Sequence, residues 1–270
     1  MCPNPVFHLF GNEVYLYGIF IAVGILACLF VFYLYTKKKG MPQRLQDFVM
    51  VVALVSIAIG FLFAKLFQAV YDWIETGEFD FYGGITVMGG LIGGALTFLL
   101  VYFVFGKIMF KGEEKGIHVK HFNTVFLVAP ICICIAHAFG RMGCLMAGCC
   151  HGKYLSKNPV VGGLLMDPPD GAKGYYVPTQ LYEALFLFVL FAVLTVLYFK
   201  RCNIIMHIYL YAYGVWRFAI EFLRRDSRGG FVLGLSPSQW QSFIFIGIAT
   251  ALLIVYIVKK IPLFFKKNGE

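Results

Sequence analysis

Arg141 is the residue most suited to chemistry, in the stretch His137-Ala-Phe-Gly-Arg141-Met-Gly-Cys-Leu-Met-Ala-Gly-Cys-Cys-His151-Gly152. It ends a run apolar enough to cross a bilayer. A guanidinium at the edge of lipid is costly without an anionic partner, and its planar fork is well matched to a phosphate. The phosphate of a membrane lipid is the obvious such anion, so the stretch points to a membrane enzyme acting on an anionic lipid. Arg217-Phe-Ala-Ile-Glu221 places a second pair of charges at i,i+4, on one face of a helix. Either the two form an ion pair that makes burial of each tolerable, or Glu221 holds Arg217 ready for a phosphate; both roles are compatible.

Cys144, Cys149, Cys150 and His151 lie close together, among 8 cysteines and 6 histidines in the chain. No Cys-x-x-Cys pair or second distal pair accompanies them, and adjacent Cys149-Cys150 suits tetrahedral chelation poorly. Packing thiols, a disulfide involving Cys144, a catalytic thiol and a structural zinc all remain open, and no metal is expected. Cys132 and Cys134 read as packing residues.

These groups need elements to carry them. With 60% hydrophobic and 14% charged residues over 270 positions, the chain is far from the composition of a soluble domain. Apolar runs near the length of about 20 residues needed to span lipid occur at Tyr15–Tyr35, Phe48–Val70, Ile85–Phe105, Phe122–Phe139, Thr179–Phe199, Ile204–Phe222 and Trp240–Val258. The fold class expected is therefore an all-α integral membrane protein of about seven helices, one bundle over residues 1–270. The fourth run is the shortest and the sixth the most polar. Met1 to Val14 has no basic n-region and no Ala-x-Ala site, so no cleavable signal is expected.

The net charge of +9 sits beside the apolar runs, which favours membrane anchoring and no nucleic acid. Lys37, Lys38, Lys39 and Arg44 occupy the first inter-helix loop, and Asp72, Glu75, Glu78 and Asp80 the second. Lys107, Lys111, Lys115 and Lys120 fall in the third, Lys200 and Arg201 in the fifth, and Lys259, Lys260, Lys266 and Lys267 in the tail. By the positive-inside rule the N-terminus is outside and the C-terminus cytoplasmic. Lys65 and Arg217 fall within spans, while Arg141, Lys153, Lys157, Lys173, Arg224, Arg225 and Arg228 are left outside. The lysines and Arg228 suit solvated loops or pairs with Asp167, Asp170 and Asp226 as well as any site.

An extracytoplasmic loop at Met142–Pro178 is the longest segment outside the spans. Its Asp167-Pro-Pro-Asp170-Gly171 turn cannot continue a helix, and Tyr175-Tyr176 before Pro178 suggests a lid at the membrane surface. Pro178-Thr-Gln-Leu-Tyr182-Glu183 opens the fifth helix with Thr179 a candidate N-cap. Gly83-Gly84, Gly89-Gly90 and Gly93-Gly94 set small residues four apart, the spacing for close helix packing in lipid. Backbone lining a head-group cavity is compatible with that packing.

These pieces, in this order, resemble the prolipoprotein diacylglyceryl transferase family. The matching residues are Leu16-Tyr17-Gly18; Tyr82-Gly-Gly with Met88-Gly-Gly-Leu-Ile-Gly-Gly94; and His137…Gly140-Arg141-x-Gly143…Gly148…Gly152. Pro178-Thr-Gln-Leu-Tyr-Glu183, Arg217-Phe-x-x-Glu221-Phe-x-Arg224 and Gly234-Leu-Ser-x-x-Gln239 complete the set. The resemblance implies transfer of a diacylglyceryl group from phosphatidylglycerol to the lipobox cysteine of prolipoproteins, with release of glycerol phosphate, at the bacterial cytoplasmic (inner) membrane. Its partners are phosphatidylglycerol, prolipoprotein substrates and membrane lipids, and it implies no cofactor.

By the same resemblance Arg141 binds the phosphatidylglycerol head group, Arg217 assists, Glu221 orients Arg217 and Tyr17 lies in the catalytic cavity. Gly140, Gly143, Gly152, Gly89 and Gly90 are the glycines expected beside the lipid. Met88 stands where the family usually has a histidine, and Cys144, Ala147 and Cys149 stand where it has Asn, Asn and Glu. The base is then His151, His137 or Tyr17, with His151 preferred because imidazole titrates near neutrality. A family-like transferase with another acceptor, or a non-catalytic lipid-binding membrane protein, are the alternatives.

Overall fold

The structure is a computed structural model that describes residues 7–9, 12–81, 83–168, 171–224 and 234–267. Tyr82, Asp170, Arg225, Asp226 and Arg228, each given a role above, lie outside the described residues. The elements run β1 (Phe7–Leu9), β2 (Asn12–Val14), α1 (Leu16–Lys38), α2 (Gln43–Thr76), α3 (Val87–Met109), a 3-10 turn at Gly112–Glu114, α4 (Ile117–Ala147), β3 (Tyr154–Ser156), β4 (Leu164–Met166), β5 (Gly174–Tyr176), α5 (Thr179–Phe199), α6 (Ile205–Glu221) and α7 (Pro237–Lys267).

Six of the helices, α1 to α5 and α7, are long and apolar enough to cross a membrane. The seventh, α6, has 17 residues, about 25 Å of helix at 1.5 Å per residue, short of the ~30 Å hydrocarbon thickness. The expected seven spans are thus six by length, with α6 as the polar helix among them. Helices also overrun the apolar runs. The fourth run was the shortest, yet α4 has 31 residues, because its last turns carry polar side chains on an inward face. That extension makes Met142–Ala147 helical, not loop.

The chain divides into two compact units, Tyr33–Val125 and the remainder. In Tyr33–Val125, α2 ends at Gly77, whose φ of 78° lets its N–H reach the Trp73 carbonyl, an exit that glycine adopts without strain. The helix α3 then returns against α2 through its glycines. A Cβ on Gly89 would lie 2.6 Å from Phe67 Cβ, and one on Gly93 2.4 Å from Phe63 Cβ. Gly90 similarly meets Ala64 Cβ at 3.3 Å. The backbones approach as closely as the small-residue spacing predicts. Tyr102, Phe110 and His118 close the interior, with the Tyr102 hydroxyl donating to the His118 carbonyl at 2.6 Å.

In the other unit α1 approaches α4 at glycines: a Cβ on Gly24 would lie 3.0 Å from the Ala136 carbonyl oxygen. Helices α5, α6 and α7 pack in sequence, and Gly214 gives α6 its close approach to Ser242 of α7. The segment after α4 is not irregular. It holds an antiparallel sheet of order β3-β5-β4, seated on a small core of Leu145, Met166 and Tyr176. Gly152 continues the ladder, its N–H donating to Val177 O at 2.8 Å, while Lys153 N–H donates to Leu223 O at 3.0 Å.

Candidate active site

A single buried carboxylate organises the site. Glu183, fully buried in the second turn of α5, accepts a hydrogen bond from the Tyr213 hydroxyl at 3.0 Å through Oε1. Its Oε2 lies 3.0 Å from Arg141 Nε, and its Oε1 lies 3.7 Å from His137 Nε2. His137 and Arg141 stand at i,i+4 on α4, and Tyr213, Arg217 and Glu221 repeat that spacing along α6, so each helix presents one polar stripe. A buried carboxylate is stable only with such partners.

Arg217 is almost fully buried. Its Nη1 lies 3.0 Å from Glu221 Oε2, and its Nη2 donates to Ser238 Oγ of α7 at 2.5 Å. The fork of Arg217 is therefore occupied on both sides. Arg141 differs. Glu183 engages Nε, and among the described residues the two terminal nitrogens meet no acceptor. The side chain keeps 13% exposure. The ion pair balances the guanidinium charge and leaves the terminal nitrogens open for the bidentate binding that a phosphate uses.

The remaining expected residues fall into three groups. Tyr17, at the start of α1, packs its ring on Gly143, where a Cβ would lie 3.2 Å from Tyr17 Cδ2. A Cβ on Gly140 would have nothing within 4 Å, so Gly140 itself faces open space. Gly152, by contrast, is used in packing: a Cβ there would lie 2.6 Å from Leu223 O. Gly89 and Gly90 serve the α2–α3 contact already described. His151 turns toward the sheet, with Nδ1 2.9 Å from Gly152 O and its ring centroid 4.3 Å from that of Tyr176. It joins neither Glu183 nor Arg141.

Thr179 does not cap α5; the residue before the helix is Pro178, without a side-chain cap. Its hydroxyl instead donates to Cys150 O at 3.0 Å, and Gln180 Nε2 donates to Cys149 O at 2.5 Å. Hydrogen bonds from Cys144 and Cys150, and then burial, push the Cys149 thiol well above the ordinary range. At neutral pH it is protonated and a weak nucleophile. Burial also raises the Tyr176 phenol, which donates to Ala172 O at 2.7 Å. Arg224 is buried and partnered.

Sequence reasoning missed Glu183 as the hub and Tyr213 and Ser238 as partners. Glu183 stands at the interfacial start of its run, where a carboxylate is no signal by itself, but Tyr213 lies one helical turn before Arg217, on the same face.

Such a cluster, an arginine and a histidine gathered by one carboxylate among apolar helices, has the makeup of an enzyme site in a multi-pass membrane protein. The chain belongs to the prolipoprotein diacylglyceryl transferase family, whose model matches residues 4–255. It is 35% identical over 257 residues to the phosphatidylglycerol–prolipoprotein diacylglyceryl transferase of Clostridium tetani, covering 91% of this chain and 95% of that one. The transferase of the same name from Clostridioides difficile is 32% identical over 269 residues, covering 94% of this chain and 95% of the other. That of Dehalococcoides mccartyi is 30% identical over 250 residues, 88% of this chain and 87% of its own.

Proposed function

We propose that the chain transfers the diacylglyceryl group of phosphatidylglycerol to the lipobox cysteine of a prolipoprotein. The family and the named relatives support the reaction. The single observation that carries the site is Arg141, paired with Glu183 at Nε, its terminal nitrogens meeting no acceptor among the described residues. In the reaction the cysteine thiol loses its proton to a base. Its sulfur bonds the terminal glyceryl carbon, and the bond from that carbon to the phosphate oxygen breaks, its electron pair leaving with glycerol phosphate. The departing phosphate gains charge, which a fixed guanidinium in a dry site stabilises more than water would. Arg141 grips that phosphate, and Arg217 adds positive potential while Glu221 and Ser238 hold it in place.

His137 is the better placed base. It shares the α4 face of Arg141, and its Nε2 lies 3.7 Å from Glu183 Oε1, near a carboxylate that favours an imidazole taking up a proton. His151 is engaged with Gly152 and Tyr176 instead. The lysine distribution supports an N-terminus outside and a C-terminus in the cytoplasm, with α6 embedded as a seventh, shorter membrane helix and the site toward the outer leaflet of the bacterial cytoplasmic membrane. The test is transfer from labelled phosphatidylglycerol to a lipobox peptide. Arg141→Ala abolishes it, and Arg141→Lys retains little, since a point charge does not replace the fork. Full activity in either variant overturns the role of Arg141.

A further inference from the structure

Three thiols have no part in that chemistry, yet the backbone gathers them. The Sγ atoms of Cys144, Cys149 and Cys150 all lie within 4.8 Å of one another. The cause is the way α4 ends. Gly148, at φ 71°, donates its N–H to Leu145 O at 3.2 Å, and Cys149 donates its N–H to Cys144 O at 3.2 Å. This paired closure is the Schellman turn, and it folds Cys149 back over Cys144. Cys150 then adopts φ 63°, a left-handed conformation that costs a non-glycine residue about 1 kcal/mol or more.

In extended chain, adjacent side chains point to opposite sides; the left-handed Cys150 brings the two neighbouring thiols to one side. That removes the objection that adjacency raises against shared chelation. The turn is also clamped. Thr179 and Gln180, both fully buried, hold the carbonyls of Cys150 and Cys149.

We propose that Cys144, Cys149 and Cys150 form a three-thiolate site for a soft d10 cation, Zn2+ or Cu+, whose occupancy inhibits the adjoining lipid site. Thiolates on one such ion, each about 2.3 Å from it, lie about 4 Å apart, so the trio needs to contract by less than about 1 Å. Thiolate sulfur selects these ions over harder ones. Binding releases the three thiol protons, leaving a net charge of about −1 around Zn2+ or about −2 around Cu+. Cys144 is one helical turn from Arg141, and Cys144 and Cys150 lie within electrostatic reach of its guanidinium. The anionic complex therefore competes with lipid phosphate for the Arg141 guanidinium.

The binding half stands independently of the transferase reaction. The reduced full-length protein in lipid nanodiscs is titrated without oxygen against a chromogenic Zn2+ chelator and, separately, a Cu+ chelator. One ion per chain is expected for at least one metal. Cys149→Ser and Cys150→Ser should each weaken it by more than about 10-fold, since even outer-shell changes cost that much. Binding that is absent at micromolar metal, or unchanged in both variants, overturns the site, as does peptide mapping of the unreduced protein that finds a disulfide within the trio.

One equivalent of the bound metal should also slow lipid transfer reversibly in the wild type and less in the serine variants. Equal rates with and without metal overturn the inhibition. A protein that binds metal but never transfers lipid refutes the transferase assignment, not the metal site.

Discussion

Glu183→Gln separates positioning from stability. The amide keeps the shape of the side chain and an oxygen to accept from Tyr213, but it removes the charge facing Arg141 Nε at 3.0 Å. The Tyr213 hydrogen bond also changes from one to a charged group, worth about 1.5–3 kcal/mol, to a neutral one of about 0.5–1.5, so the change costs roughly 1–1.5 kcal/mol of orientation. At 1.4 kcal/mol per factor of ten, kcat should fall about 5- to 12-fold. The phosphate no longer competes with a nearby carboxylate, so KM for phosphatidylglycerol should stay level or drop. A fall in kcat with KM unchanged marks loss of an interaction made only in the transition state, and a fall in both marks relief of ground-state strain.

Glu183→Ala is different. Deleting one partner of a buried pair costs about 3–5 kcal/mol, so that variant should lose yield and thermal stability. The assay is steady-state transfer from phosphatidylglycerol vesicles to a lipobox peptide, with melting followed in parallel. Glu183→Gln with wild-type kcat, or with KM raised and kcat unchanged, would sink the view that this carboxylate positions the arginine for the reaction.

Further outcomes follow from the same geometry. His137→Ala should reduce kcat by about 100-fold or more, the usual loss of a general base, while His151→Ala keeps most of it; the reverse order would exchange their roles. Gly152→Ala places a methyl 2.6 Å from Leu223 O and should destabilise by about 1–3 kcal/mol, whereas Gly140→Ala, facing open space, should melt like the wild type. Because its neighbours hold the Cys149 proton, alkylation of Cys149 should be slow at pH 8 and accelerate only above the ordinary thiol range, as peptide mass spectrometry would reveal.

The sequence was most legible where one residue type has a single physical use. An arginine ending an apolar run and the glycine spacing of α3 both announced themselves, because lipid makes charge expensive and close backbone approach dependent on small residues. The polar partners were less legible. Glu183 lies at the interfacial start of an apolar helix, where a carboxylate is unremarkable until Arg141 and Tyr213 are seen to converge on it from two other helices. The thiols misled for a local reason. Adjacent cysteines argue against shared chelation only when the chain between them is extended, and the left-handed Cys150 cannot be read from composition.

Charge balance explains why these residues act as a unit. Arg141 with Glu183 and Arg217 with Glu221 make two neutral pairs, so the empty cluster can sit among apolar helices at tolerable cost. A phosphate arriving at Arg141 adds one negative charge, and bond breaking adds a second to the same oxygens. The increment falls on Arg141, whose terminal nitrogens meet no acceptor among the described residues, and on the potential of Arg217. A site with its carboxylates removed would hold lipid more tightly at rest, and would have less stabilisation left to give as the phosphate departs.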